Sequence, residues 1–590
     1  MKKNTLQKLL AIALAGAMAM GTLTACGGSD EPAASNAGSS NAGTSDSSNS
    51  GSSNAGSSDS SNSGSSDAPA ADDTPAVPGI EGFKAFDETV TLRIPVYQRA
   101  TPNGAADAAD NYWTDWVQTE FGDKYNIDVE YVALPRGQEN ENYALLAASG
   151  ELPVCCFEYD YPDVTMYQNE GYFAEYDIEW FKNIAPTYWA NMEAEGLAPY
   201  TEINGENVLI IGTRPYGKTN YQFVTFYRKD WVEAAGYTEY PTDPAELLKM
   251  YAKIDELGLG GDHILGGTKV EGNGVDQNYA YRTYPQDEVL WATTGDYSIP
   301  ALSTEAQKKL LKWNNTLYNL GYIDDEYNTR TSDFAISDFV SGKTFTYSCY
   351  STNNIDVLNQ FYEQNPGAKL GIITNNGPET YSDGTCNAFR PNGIFGEYIG
   401  FSSQATEEEK QAFAMYLEWM SQDDILFTLQ WGFEGKNFNY DENGNPVSVA
   451  DQSGIEEQQS HNNNVDMWCL VTATRSLGDV DKDIKAITPM GYPDSDQFFA
   501  DIKKNYEGQL ACYDAGLASP DAMFTVSIAA ADEYKETLWT SYATLRDKIV
   551  MGSEADFEKN YEEASKQYLE AGYQAIIDEK KAALDAGYVN

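Results

Sequence analysis

Basic residues are scarce in this chain of 590 residues. Lysine and arginine together number 38 against 90 aspartates and glutamates, so the formal net charge at pH 7 is −52. Nucleic acids and anionic lipid surfaces are bound through clustered Lys and Arg side chains, and a body this acidic repels both. The composition therefore excludes nucleic-acid binding as the main function.

Histidine and cysteine are also rare. The two histidines, His263 and His461, are far apart and offer little material for a zinc site or a Ser-His-Asp triad. Seven cysteines without a CxxC pair are too few for a disulfide scaffold, and Cys155-Cys156 in an apolar run is predicted to be a pair of small packing residues. We expect no cofactor. The sequence leaves open whether four later cysteines pair with one another: Cys349, Cys386, Cys469 and Cys512.

Long apolar runs are confined to the N-terminus. Residues 1–25 have a basic start and an apolar run, Leu9–Met20, which predict a secretory signal too short to span a membrane. Leu23-Thr24-Ala25-Cys26 resembles the bacterial lipobox, which implies cleavage before Cys26 and lipid on its sulfur. This predicts a protein anchored at the extracellular face of the cytoplasmic membrane. An ordinary signal peptide with a cysteine nearby is the alternative.

A low-complexity segment follows, over residues 26–85. Half of the residues in 35–66 are serine, and the octet DSSNSGSS occurs at 46–53 and again at 59–66. Such a chain has no apolar surface to offset its ordering entropy, so it is predicted to be a flexible tether. The tether indicates where the protein is held but not what it does.

The body, residues 86–590, begins with alternating strand and helix signals. Strands are predicted at Thr89–Tyr97, Ile127–Leu134 and Val154–Phe157, with helices over 111–125 and 139–149 between them. The order β-α-β-α-β predicts a sheet with parallel neighbours and helices packed on its faces, which is an α/β fold. Four later helices are predicted: one starting at Asp243-Pro244 and running to about Leu257, and others over 303–320, 407–420 and 554–586, the last broken near Gly572.

Five segments, in order, resemble the extracellular solute-binding proteins of ABC importers, particularly the lipoprotein branch of family 1, related to maltose-binding protein. They are AASGELPVCCFEYD (147–160), FYRKDWVEAAGYTEYPTDPAELLKMYAKI (226–254), LYNLGYIDDEY (317–327), FVSGKTFTY (339–347) and WGFEGKNFNYDENGNPV (431–447). Two features depart from the family pattern. Val154 replaces the Asp expected after Glu-Leu-Pro, and the Asp/Asn-rich calcium-type loop of many relatives is missing after the helix near residue 254.

The resemblance implies a two-lobed type II periplasmic-binding-protein fold whose lobes close around a ligand in the cleft between them. Lobe 1 is expected over about 86–205 plus a segment after about 400, and lobe 2 over about 206–395 plus the C-terminal segments. The implied ligand is a carbohydrate, in particular an oligosaccharide, and the implied partner is the transmembrane permease of the importer. The protein would act as a monomer and do no covalent chemistry.

The family also implies where ligand contacts lie. The loop after the first strand and the residues after the third strand face the cleft, and the stretch after GKTFTY presents an aromatic residue in maltose-binding protein. Ten contact residues are predicted: Tyr97, Arg99, Asn111, Tyr159, Asp160, Trp291, Tyr350, Asn353, Arg390 and Trp431. Asp160 could instead cap the following turn, and Trp431 could close the core beneath a hairpin.

The run that begins at Asn439 partly resembles a calcium-binding EF-hand loop. Asn439, Asp441, Asn443 and Gly444 match four positions of an EF-hand loop, but Ala450 stands where the loop needs a bidentate Glu. We therefore predict no metal here and a turn at Asn443-Gly444 between two strands.

Two other functions remain open at this stage. The same fold could bind a peptide, an amino-acid derivative or a cationic solute. A surface glycosidase could use paired carboxylates such as Glu158 and Asp160, although no hydrolase motif accompanies them.

Overall fold

Helices and strands alternate along the chain, which confirms the predicted α/β class. The computed structural model describes residues 79–98, 107–266, 287–295, 299–330, 332–351, 355–449, 452, 454–459, 465–488, 493 and 495–589. The predicted signal and lipid anchor at Cys26, most of the tether and two predicted contact residues, Arg99 and Asn353, lie outside the described residues.

Twelve strands are found in the described part of the chain: β1 (Val90–Gln98), β2 (Ile127–Pro135), β3 (Cys155–Glu158), β4 (Glu202–Ile203), β5 (Glu206–Asn207), β6 (Leu209–Thr213), β7 (Phe223–Arg228), β8 (Thr346–Tyr350), β9 (Leu370–Ile372), β10 (Phe395–Phe401), β11 (Phe438–Tyr440) and β12 (Pro446–Ser448). The α-helices cover Tyr112–Val117, Asp123–Tyr125, Glu139–Ser149, Tyr161–Asn169, Ile178–Ile184, Pro186–Ala194, Lys229–Ala234, Pro244–Glu256, Glu288–Thr294, Glu305–Asn319, Ser332–Val340, Ile355–Gln364, Glu407–Met420, Asp423–Trp431, Val480–Ala486, Ser495–Asp514, Ala529–Val550, Phe557–Tyr568 and Gln574–Asp585.

The first strands form a mixed arrangement. β1 pairs with β2 in parallel over its whole length, and the Val154 amide donates to the Arg93 carbonyl (2.8 Å), so the chain enters β3 beside β1. β3 itself pairs antiparallel with β10, which also pairs antiparallel with β6. The prediction of parallel neighbours is confirmed for β1 and β2, whereas the strand that pairs with β3 is the antiparallel β10, from more than 200 residues later.

The predicted helix over residues 111–125 is present, with one irregular turn. Its middle, Gln118–Gly122, is π-helical. The Gln118 side chain donates to the Ile127 carbonyl (3.0 Å) and accepts from the Val129 amide (2.8 Å). These two bonds tie the wide turn to the start of β2.

The later predicted helices are confirmed with small changes of boundary. The Asp243 side chain caps Pro244–Glu256 by accepting from the Ala245 amide, and the predicted helix over 407–420 is found as Glu407–Met420. The C-terminal helix is broken at Gly572, where φ is +126°. A side chain there would overlap the ring of Tyr534, so this turn needs glycine in two respects.

The buried side chains divide the body into two halves, one with a single core and the other with two. One core joins residues 90–211 with 398–471 and Met523. Two further cores lie in the other half: residues 227–345 with 524–583, and residues 221–372 with 484–502 around the antiparallel sheet β8-β7-β9. The chain therefore passes between the halves after β6, before β10 and after residue 471. The predicted lobe limits stay a prediction.

The six cysteines in the described part of the chain are buried, and none of them forms a disulfide there. Cys155 and Cys156 are wholly buried in β3, which confirms that they are packing residues. Burial raises the pKa of Cys512 to about 11 and holds the pKa of Cys155, Cys156 and Cys349 well above the usual range. Thiols with raised pKa values stay protonated at neutral pH and react slowly.

The run beginning at Asn439 forms the predicted hairpin. β11 and β12 pair antiparallel, and the Asp441 carboxylate accepts from the amides of Asn443 and Asn445 (both 2.8 Å). Gly444 has φ +78°, which suits glycine in a tight turn. Among the described residues, no helix combines the length and apolar character that crossing a membrane requires.

Candidate functional site

Three chain segments connect the two halves of the body and lie side by side. We call residues 213–217, 393–395 and 471–473 the crossing segments. The Thr213 amide donates to the Val471 carbonyl (2.9 Å), and the Ala473 amide returns a bond to the Thr213 carbonyl (2.8 Å). The Arg214 amide donates to the Ile394 carbonyl (3.1 Å). A methyl group on Gly217 would overlap the Gly393 carbonyl oxygen, so the first two segments are in close backbone contact.

Two tyrosines predicted to bind ligand meet at the ends of the first strands. Tyr97 lies near the end of β1 and Tyr159 directly after β3, and their rings stack with centroids 6.2 Å apart and 26° between planes. Tyr97 is 1% exposed, whereas Tyr159 is partly exposed. Arg136, directly after β2, places its guanidinium carbon 4.5 Å from the Tyr97 ring and 5.8 Å from the Tyr159 ring. The three strand ends thus bring together a buried ring, a partly exposed ring and an arginine that contacts both.

A group of ion-paired side chains lies under these rings. Arg136 Nη1 donates to Glu139 Oε1 (2.6 Å) and to both oxygens of Glu158 (3.0 and 3.1 Å). Glu158 also accepts from the Tyr159 amide (2.7 Å), which fixes the backbone beneath the exposed ring. Burial raises the pKa of Glu158 to about 7, and the charge of Arg136 opposes that rise.

Asp160 follows Tyr159 and begins the helix Tyr161–Asn169. It stands at the N-cap position, but its side chain accepts no backbone amide of that helix, so the capping alternative is not observed. Burial, followed by the charge of Asp163, raises the pKa of Asp160. Three cations act against that rise in pKa: Lys535, Arg136 and Arg390. Asp160 is therefore a partly buried carboxylate with positive charge on more than one side.

Two other predicted contacts, Trp291 and Arg390, meet at one loop beside this group. The Trp291 indole nitrogen donates to the Pro520 carbonyl, and Arg390 Nε donates to Asp521 Oδ1 (2.7 Å). Both side chains therefore hold residues 520–521, and Arg390 is also one of the cations beside Asp160.

Asn111, Tyr350 and Trp431 have local structural partners instead. The Asn111 side chain caps a helix by accepting from the Trp113 and Thr114 amides. Tyr350 packs edge-on against Phe223, with centroids 5.1 Å apart. Trp431 is 3% exposed and ends the helix Asp423–Trp431, and its ring packs on Phe438 of the hairpin. This burial favours the core alternative for Trp431, and ligand contacts at all three residues stay predictions.

Sequence reasoning missed three arginines that the fold brings to this region: Arg136, Arg214 and Arg475. Arg214 lies on the first crossing segment with its guanidinium carbon 5.5 Å from the Tyr159 ring. Arg475 follows the third crossing segment, 4.8 Å over the Trp431 ring. One signal was present, because the chain has only ten arginines and each of these three follows an apolar segment.

A separate group of side chains places potential cation ligands close together. His263, Asp324 and Asp338 bring ligand atoms within 4.8 Å of one another. Arg330 Nε is 2.6 Å from Asp324 Oδ2, and Lys343 Nζ is 3.4 Å from Asp338 Oδ1. Because both carboxylates already face a cation, an ion-pair network explains the group.

Comparison with known proteins identifies the family. Residues 116–429 match the sequence profile of the bacterial extracellular solute-binding proteins. The chain belongs to this family. The match covers more than half of this solute-binding protein and confirms the resemblance seen in its sequence. A comparison with curated protein sequences finds no match.

Solved structures show the same two-lobed α/β fold. An "HMO binding ABC-transporter associated Solute Binding Protein" of Bifidobacterium longum infantis is 15% identical, with TM-score 0.54 over 85% of this chain and 100% of that one. The Streptococcus pneumoniae ABC-transporter substrate binding protein FusA in complex with kestose is 13% identical, with TM-score 0.56 over 84% and 99%. The alginate-binding protein AlgQ2 is 17% identical, with TM-score 0.54 over 86% and 100%. At these identities the likeness establishes the fold alone.

Proposed function

We propose that this solute-binding protein captures an oligosaccharide between its two lobes and delivers it to the permease of an ABC importer. The observation that carries the proposal is the partly exposed ring of Tyr159, which stacks on the buried Tyr97, precedes the carboxylate of Asp160 and lies next to the first crossing segment. Small-molecule sites combine aromatic walls with a few placed polar groups, and a sugar ring offers both an apolar face and hydroxyls to match them.

The structural relatives support the carbohydrate class. Three structures of the same fold are described as binding HMO, kestose or alginate. The lobes would close on the ligand by bending at the crossing segments, since these are the hydrogen-bonded connections between the two cores.

We further propose that lipid on Cys26 and the tether hold the protein, as a monomer, at the extracellular face of the cytoplasmic membrane. The lipobox-like sequence and the serine-rich composition support this part of the proposal. The crossing segments at 213–217 and 393–395 support the lobe limits that we propose near residues 205 and 395–400.

Glycoside hydrolysis is disfavoured by the state of Glu158. This carboxyl is 3% exposed and both of its oxygens accept from Arg136, so it is not available beside Asp160 as one of two catalytic carboxylates. A peptide or a cationic solute in the same cleft is the remaining alternative, and the overall charge of −52 is its main support.

A thermal-shift screen against mono-, oligosaccharide and peptide panels tests the proposal. A ligand that binds only the folded state adds about 2.7 kcal/mol of stability at 100 times its dissociation constant. We expect a rise in Tm with one class of oligosaccharide. A rise with peptides or polyamines and none with sugars would overturn the carbohydrate proposal while leaving the family unchanged.

A further inference from the structure

Arginines are concentrated around the crossing segments. Four of the ten in the chain, Arg136, Arg214, Arg390 and Arg475, lie on or beside these segments or over the stacked tyrosines. Away from this region, three described arginines are paired with carboxylates: Arg228 with Asp230, Arg330 with Asp324 and Arg546 with Asp547. In a chain with so few basic residues, four clustered arginines need nearby negative groups to balance their charge.

Two of the four arginines are paired with carboxylates of the protein itself. Arg136 is paired with Glu139 and Glu158, and Arg390 is paired with Asp521. Their charges are therefore balanced before any ligand arrives, and they serve to position Tyr97, Tyr159 and the loop at 520–521.

Arg214 differs from these two. Its guanidinium forms no ion pair or hydrogen bond with the described residues, and its buried Nε has no acceptor among them. Its guanidinium carbon lies over the face of the Tyr159 ring, 5.5 Å from the centroid. Arg214 as a whole is partly buried, but a buried guanidinium N–H without an acceptor is costly, and the cost is removed when a ligand supplies an anion.

We propose that Arg214 binds a carboxylate of the ligand, so that the transported oligosaccharide contains uronic-acid residues. This inference rests on the proposed function and narrows it to acidic sugars. The planar guanidinium matches a carboxylate with two parallel hydrogen bonds, which a sugar hydroxyl cannot offer. In this arrangement Tyr159 stacks beside the same ring of the ligand, and Asp160 accepts hydrogen bonds from neutral hydroxyls.

The strong overall acidity does not oppose such a ligand at the site. At physiological ionic strength the screening length is about 8 Å, so exposed carboxylates on distant surfaces have little effect in the cleft. Among the nearer carboxylates, Glu139, Glu158 and Asp521 are each engaged by an arginine, and Asp163 is paired with Lys535. Asp160 has three cations acting on it, Lys535, Arg136 and Arg390.

The test compares ligands that differ only in charge. Oligosaccharides of galacturonate, glucuronate, and mannuronate with guluronate are each titrated into the protein by calorimetry as free acids and as methyl esters, together with neutral oligosaccharides of the same length. We expect one free acid to bind about 10- to 100-fold more tightly than its ester, the range of a charge-assisted hydrogen bond.

Substitutions of Arg214 test whether this residue causes the difference in affinity between acid and ester. Arg214→Gln should weaken binding of the free acid to the level of the ester, and Arg214→Lys should restore part of the difference. Arg93→Gln is the matched control, because the Arg93 side chain, on β1, donates to the backbone carbonyl of Glu151. If Arg214→Gln fails to fold, the comparison of acid with ester in the native protein still tests whether the ligand carboxylate contributes to binding.

The outcomes separate the two levels of the proposal. Equal affinity for acid and ester, or binding of neutral oligosaccharides alone, would overturn the role of Arg214 and leave the carbohydrate function standing. Binding of no sugar of any kind would overturn the carbohydrate function and this inference with it.

Discussion

Glu158 is a carboxyl held almost wholly out of water at the base of the candidate site. Its pKa is raised from about 4.5 to about 7, first by burial. The folded state therefore keeps a proton on Glu158 at pH values where the unfolded chain has lost it. By linkage, the stability that this group contributes is fully present below about pH 4.5 and is lost as the pH rises through 7.

We expect Glu158→Gln to gain stability relative to the native protein as the pH rises through this window, by on the order of 1–3 kcal/mol. Urea unfolding at several pH values between about 4 and 8 measures the difference. Glu408→Gln, exposed at the start of a helix, is the control and should show no such trend. A difference that stays constant with pH would mean that Glu158 remains ionised beside Arg136 throughout.

Asp160 is expected to act on ligand and not on folding. Its side chain makes no capping hydrogen bond, so Asp160→Ala should abolish sugar binding while shifting Tm by no more than a few degrees. Calorimetry and a thermal melt check the two halves of this prediction. Tyr440→Ala, on the exposed hairpin, is the control and should leave both unchanged. A collapse of Tm in Asp160→Ala would instead make Asp160 a structural residue.

The residues that sequence reasoning found and missed differ in how they reach the site. Tyr97 lies near the end of one predicted strand, and Tyr159 and Asp160 directly follow another, so their meeting could be predicted. Arg214 becomes a neighbour of Tyr159 only because β10 inserts between β3 and β6, which local pattern does not specify. The structural partners of Asn111 and Trp431 likewise depend on packing that the sequence leaves open.

At the scale of elements, the close approach of the first two crossing segments depends on Gly217. A Cβ atom there would overlap the Gly393 carbonyl. We expect Gly217→Ala to lower the free energy of unfolding by about 1–3 kcal/mol, because backbone cannot yield as a flexible side chain can. Chemical denaturation measures the loss. Gly261→Ala is the matched control, since its nearest neighbour is an Lys343 side-chain atom at 3.8 Å. Equal stability of the two variants would show that the segments can separate freely.

Strand order is the feature of the elements that the sequence predicted least well. The β-α-β start, the Asp243 cap and the break at Gly572 are local signals, and all were found. The antiparallel β3–β10 pairing joins residues 155–158 to 398–401, and no local pattern encodes a contact at that separation. The fold class was therefore predictable, whereas the mixed sheet was not.

At the scale of the whole molecule, the two halves also touch away from the crossing segments. Lys535, on a helix of the second core, pairs with Asp163 of the first (2.8 Å), and Asn169 contacts Ser527 of the C-terminal segment. These contacts exist only while the lobes hold this relative orientation. The ion pair is partly exposed, so it is worth at most about 1 kcal/mol.

We expect Lys535→Ala to weaken sugar binding about two- to fivefold without changing Tm, because the closed arrangement loses a contact. Calorimetry measures the affinity, and small-angle scattering should show a larger radius of gyration without ligand. Lys581→Ala removes a pair within one helix and is the control. A fall in Tm without a change in affinity would place the contribution of Lys535 in folding.

The buried cysteines make this protein suited to single-molecule fluorescence. Because the described thiols are out of solvent, maleimide dyes would react at introduced cysteines. With Cys26 replaced by Ser, Glu408→Cys and Gln567→Cys would put a donor and an acceptor on exposed helix positions of opposite cores. Energy transfer between the dyes would then follow each opening and closing as sugar arrives and leaves.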